Sequence, residues 1–174
     1  MTNIYSRQNK LFQAWFWVLY IPVILLLFID FFKPGERNIG SDILAAAVVL
    51  LPLLFLLSLR FSLVIDQEKI TYQYFPIQLS PRSLAWSEVE SAQLVVFDPL
   101  KHYWGYGYRK SRKYGRVYNT TGNIGLLITT KQQAVLNFEI TDQKDFCRFV
   151  QDNRLDQINI HIIPLEKALG TAAG

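Results

Sequence analysis

Residues 11–29 read LFQAWFWVLYIPVILLLFI and residues 43–59 read ILAAAVVLLPLLFLLSL, neither with a single charge. How these two stretches are read decides the fold. At a helical rise of 1.5 Å per residue they reach roughly 28 Å and 26 Å, against a hydrocarbon core of about 30 Å. Trp15, Trp17 and Tyr20 crowd the start of the first, where amphipathic rings favour the headgroup level, and Arg60 closes the second. Pro22 and Pro52 fall inside the stretches, which membrane helices tolerate because neighbouring groups re-satisfy the freed carbonyl. Neither stretch has the polar face of a globular amphipathic helix. The expectation is a transmembrane hairpin, with spans at about residues 11–31 and 41–59 in an N-terminal segment 1–60. A secretory signal peptide fits less well, because the apolar run is long and residues 30–34 (DFFKP) offer no small-residue cleavage site.

Two spans would put both termini on one side. Arg7 and Lys10 precede the first, and Arg60, Lys69 and Arg82 follow the second, whereas the connection holds only Lys33 and Arg37. That excess predicts cytoplasmic N- and C-termini. The single cysteine, Cys147, can form no internal disulfide, which agrees with a reducing compartment. Asp30 lies close to Lys33 and reads as an interfacial charge.

Beyond Arg60 the pattern changes to short strands. Phe61, Leu63 and Ile65 share one strand face, residues 66–69 form a polar turn, and Ile70, Tyr72 and Tyr74 share the next. A third strand reaches Trp86, a turn occupies residues 87–90, and a fourth strand through Leu94 and Val96 ends at Asp98-Pro99. Leu126, Ile128 and Thr130 are followed by Leu136, Phe138 and Ile140 in a further hairpin. The period then becomes helical at Phe146, Phe149 and Val150, with Thr141 as a candidate N-cap. Ile158, Ile160 and Ile162 alternate like an edge strand, and residues 171–174 read as frayed. The α+β expectation is a transmembrane hairpin followed by a strongly bent sheet or partly open barrel, residues 61–154, closed by a C-terminal helix, with an extension at 155–174.

Within this domain stand Trp86-Ser87-Glu88-Val89, Gly105-Tyr106-Gly107-Tyr108-Arg109, Gly115-Arg116-Val117-Tyr118-Asn119 and Gly122-Asn123-Ile124-Gly125. In this order they resemble the bacterial pleckstrin-homology-like (PH-like) domains of small membrane proteins, over roughly residues 61–153. The chain departs from that pattern with Tyr106 where tryptophan is frequent, and with an unusually basic insert. The resemblance implies the fold, and a preceding hairpin anchor is a common arrangement there; with the spans and the charge bias, the expectation is a non-catalytic, multi-pass protein of the bacterial inner membrane whose PH-like domain binds or scaffolds at the membrane surface.

Lys101, Arg109, Lys110, Arg112, Lys113 and Arg116 fall within sixteen residues that hold no acid, and without these six the formal charge of +4 would be −2. Trp104 and Tyr106 lie among them as candidate interfacial anchors. Cations interleaved with aromatic rings suit an anionic lipid surface, worth about 1 kcal/mol per basic side chain. The same segment is also readable as a solvated loop or as a contact for another protein. The alternative role is an assembly subunit pairing with a membrane protein or with itself through the hairpin and a sheet edge. Nucleic acid is not an expected partner.

No enzymatic signature emerges. His102 and His161, the only histidines, have no Cys or carboxylate at ligand spacing, so neither a metal nor a cofactor is expected. Cys147 sits next to Phe146 and reads as a packed thiol, and Gly105-Tyr106-Gly107 lacks the third glycine of a dinucleotide loop.

Overall fold

The computed structural model describes residues 4–10, 20–25, 28 and 39–171. Two compact units result: Met1–Leu11 with Arg60–Gly174, and Phe12–Leu59.

The first unit contains two packed sheets. One is antiparallel with order β1(Tyr5–Lys10), β2(Arg60–Ile65), β3(Lys69–Phe75), β4(Arg82–Ala85). Alternation builds it: Phe61, Leu63, Ile65, Ile70, Tyr72 and Tyr74 all turn inward. Asp66 shapes the β2–β3 turn by accepting hydrogen bonds from the Glu68 and Lys69 N–H groups at 2.8 and 2.7 Å. A single 3-10 turn, Trp86–Glu88, leads to the second sheet, and the Trp86 indole ties it back by donating to the Asp66 carbonyl at 2.8 Å.

The second sheet comprises β5(Val89–Val96), β6(Gly107–Ser111), β7(Gly115–Asn119), β8(Ile124–Thr130), β9(Val135–Glu139) and β10(Ile158–Pro164). Their spatial order is β10-β5-β8-β9-β7-β6, so β6 and β10 are its edges. Between the sheets lies an aromatic layer. Tyr72 of β3 meets Phe138 of β9 at 4.8 Å and Tyr118 of β7 at 5.1 Å, while Phe61 stacks on both. Such ring pairs contribute about 0.5–1.5 kcal/mol each beyond the area they bury.

Helix α3(Gln143–Asp152) starts where Asp142 accepts the Asp145 N–H at 3.0 Å, one residue after the expected cap. Its Phe146 is buried edge-on against Tyr5 at 5.2 Å, and Arg7 reaches Asp145 at 2.9 Å. The N-terminal tail is therefore a strand of the β unit, whose second segment begins at Arg60. Lys10 pairs with Arg60, so the chain leaves the sheet and re-enters it at opposite positions of neighbouring strands. The outer face of the second sheet carries Val95, Val117 and Leu127, covered by Leu165 and Ala168 of α4(Leu165–Thr171).

In the second unit residues 20–25 are helical and α1(Ile39–Ser58) follows. Among the described residues no helix is long and apolar enough to cross a membrane. This overturns the expected transmembrane hairpin, the membrane and transmembrane character drawn from it, and the multi-pass inner-membrane placement with cytoplasmic termini. In α1 the charged Asp42 occupies the first turn, so the uncharged part of the helix begins only at Ile43. Ile43 to Leu57, the apolar part, reaches only about 22 Å at a helical rise, against about 30 Å of hydrocarbon. Most of the expected first span, with Trp15, Trp17 and Asp30, lies outside the described residues, as do residues 172–174.

Candidate functional site

Asp98-Pro99 starts a helix. Asp98 Oδ1 accepts from the Leu100 and Lys101 N–H groups at 2.9 and 3.1 Å, and Pro99 occupies the first turn, where its missing N–H costs nothing. The resulting α2(Pro99–Tyr103) lasts one turn. Trp104 ends it in the left-handed region at φ 61°, with its side chain 90% exposed. Gly105, at φ 132°, then turns the chain toward β6.

What the sequence presented as a basic loop is this helix followed by the β6–β7 hairpin, with Arg109 opposite Val117 and Lys110 opposite Arg116. The hairpin is braced from below. Tyr103, buried beneath it, donates its hydroxyl to the Tyr114 carbonyl at 3.0 Å and accepts from the Asn137 side chain at 3.4 Å. His102 packs its ring on Tyr114 at 4.8 Å. Gly115, at φ 77°, lets β7 lie directly on Val135: a Cβ there would stand 2.6 Å from the Val135 Cβ.

These contacts divide the six basic residues among three environments. Arg109, Lys110, Arg112 and Lys113 are exposed, and none forms an ion pair with a described carboxylate. Arg109 Nε donates to the Tyr106 carbonyl at 3.2 Å, which folds its guanidinium back toward Gly105 beside Trp104. Lys113 lies over the Tyr114 ring at 5.1 Å. Lys101 stands apart, paired with Glu166 of α4 at 3.1 Å. Together with half-buried Tyr106 it lines an open cleft of about 530 Å³ that also includes His102, Asn123 and Glu166. Arg116 is half-buried and lines a different pocket, between the sheets.

Two participants were not singled out from the sequence. Glu166 accepts from both Lys101 and His102 on the same oxygen, at 3.1 and 2.8 Å. His102 Nδ1 accepts the Asp98 N–H at 3.0 Å, so the neutral ring carries its proton on Nε2 and donates it to Glu166. The His102 bond foremost, then a backbone bond and Lys101, draws the Glu166 carboxyl down to about 2 from 4.5. The second is Glu139, buried on β9, which accepts from the N–H groups of Thr120, Thr121 and Gly122 and from the Thr120 hydroxyl. It fixes the turn of residues 119–123. An Asp-Pro pair following a strand was the available signal for α2; nothing local announced Glu139 or Glu166.

Comparison of the chain with protein-family models and with curated proteins finds no match.

Proposed function

We propose that the β unit is a non-catalytic, PH-like binding module whose β6–β7 hairpin rests on an anionic surface of phospholipid headgroups. One observation carries this reading: Arg109, Lys110, Arg112 and Lys113 are exposed on a braced hairpin without a described carboxylate partner, beside a 90% exposed Trp104. Four cations near an anionic surface supply at most about 4 kcal/mol, and an interfacial indole adds orientation. The PH-like assignment draws support from the two packed sheets with α3 against β1, and from the reason for the motif glycines. A Cβ at Gly122 would meet Glu139 at 2.6 Å, and one at Gly125 would collide with the Asn137 side chain.

The edge position of β6 favours a second reading, strand addition by a partner. Its charge narrows that partner to an acidic segment, since two copies of β6 would bring like charges together.

The test is co-sedimentation of the full chain with vesicles of graded phosphatidylglycerol content, beside a variant carrying Arg109→Glu, Lys110→Glu, Arg112→Glu and Lys113→Glu. Neutral vesicles report whatever the apolar second unit contributes. The anionic increment is expected to fall about tenfold or more in the variant and to shrink with salt. An increment equal in both proteins overturns the lipid reading.

A further inference from the structure

Where β3 and β4 of one sheet part from β7, β8 and β9 of the other, a pocket of about 350 Å³ opens. Its floor is apolar and buried: Tyr72, Leu84 and Leu136 are 7%, 9% and 5% exposed. Its rim carries two cations, Arg116 and Lys131, and one carboxylate, Glu88. Glu88 forms an ion pair with neither. Its Oε2 accepts from the Ala85 N–H at 3.3 Å, and among the described residues neither Arg116 nor Lys131 has an ion-pair partner. The Tyr72 hydroxyl likewise has no hydrogen-bond partner among them, although its ring is buried between Tyr118 and Phe138.

Arg116 is half-buried as a residue and has no ion-pair partner among the described residues, which leaves its guanidinium available to an anion beside the apolar floor. The geometry points to a binding site for a small organic anion, a phosphate or carboxylate group joined to an apolar body. We infer that the anionic group is held by Arg116 and Lys131 while the body lies on Tyr72, Leu84 and Leu136. Arg supplies a forked donor pair suited to either oxyanion. The volume lies at the small end of ligand pockets, so a ring or a short chain fits and a long acyl chain does not. None of the four exposed hairpin cations lines this site, and of them only Lys110 stands opposite Arg116 across the β6–β7 pair.

The probe is phenyl phosphate, titrated calorimetrically into the full chain, with inorganic phosphate and phenol as the two halves of the chemistry. Phenyl phosphate is expected to bind at one equivalent and about tenfold or more tighter than inorganic phosphate, because its ring removes apolar surface from water. Arg116→Gln should weaken it about tenfold or more. Lys131→Gln, at an exposed position that leaves folding intact, should weaken it by a smaller factor. A hairpin reversal that spares Lys110, with Arg109→Glu, Arg112→Glu and Lys113→Glu, should change it less than about twofold, a result that separates this site from the surface reading. Vesicles containing phosphatidic acid form a further arm: competition assigns the occupant to a lipid headgroup, and its absence assigns it to a soluble anion. Phenyl phosphate binding no tighter than inorganic phosphate, or binding unchanged in both Arg116→Gln and Lys131→Gln, overturns the inference.

Discussion

Glu139 is the residue on which the 119–123 turn depends. Its carboxylate receives four donors, three of them backbone N–H groups. In Glu139→Gln one acceptor oxygen becomes a donor pointed at donors, so the variant should lose about 1–3 kcal/mol, read by urea denaturation. Gly115→Ala meets a different obstacle. The new Cβ would press on the Val135 carbonyl, a backbone atom that cannot swing away, and φ is 77°. A loss of at least about 2 kcal/mol is expected. The sequence displays these glycines plainly, but their reasons lie elsewhere in the chain: Gly122 is next to a residue seventeen positions on. Hence Gly122-Asn123-Ile124-Gly125 was readable as a motif and not as a contact. Glu139 stands between Phe138 and Ile140 in an alternating pattern that assigns it to the outward face, yet it is buried.

At the scale of elements, the β6–β7 hairpin should keep its fold when its charge is reversed. The four exposed positions make no described ion pairs, so the quadruple Glu variant should stay within about 0.5 kcal/mol of the parent per site. The α4 helix should behave otherwise with pH. The Glu166 carboxyl is drawn from 4.5 to about 2 by His102, a backbone bond and Lys101. A depressed carboxyl contributes its stability fully above 4.5 and loses it as pH falls toward 2. Protection of the amides within residues 165–171, taken relative to the intrinsic exchange rate at each pH, should therefore fall over that window, and in Glu166→Gln that acid-dependent loss of protection should be gone. Most strands were legible because one face alternates between apolar and polar, as in Ile70, Tyr72 and Tyr74. The 101–116 segment was not, because its outward positions are basic and its inward ones are Gly and Tyr. Asp98-Pro99, read as the end of a strand, is equally the start of a helix; only the fold chose between them. The long apolar stretch was read by its length, while Asp42 in the first turn shortens what α1 offers to a bilayer.

For the whole molecule, the β unit is discontinuous in sequence, and its first strand went unseen because only Tyr5 of β1 is buried. That one ring joins β1 to Phe146 and Phe149 of α3, at 5.2 and 5.7 Å. Tyr5→Ala should cost about 3 kcal/mol and lower cooperativity, as seen by thermal unfolding. The sandwich should also fail at high pH. Burial pushes the Tyr103 and Tyr118 hydroxyls up to about 12 and Tyr74 further, from 10.0. Groups raised in the folded state lend stability that is complete below 10 and lost as pH climbs toward 12. Circular dichroism should show alkaline unfolding in that interval. The claim that the hairpin faces an anionic surface is tested most directly at Trp104. Its fluorescence, taken as the difference between the parent and Trp104→Phe, is measured with vesicles of brominated anionic lipid at low and high salt. The account predicts quenching of that difference at low salt, relieved by salt and absent when Arg109, Lys110, Arg112 and Lys113 are changed to Glu. A Trp104 signal that the brominated lipid leaves untouched, or quenches equally in both charge states, would contradict it.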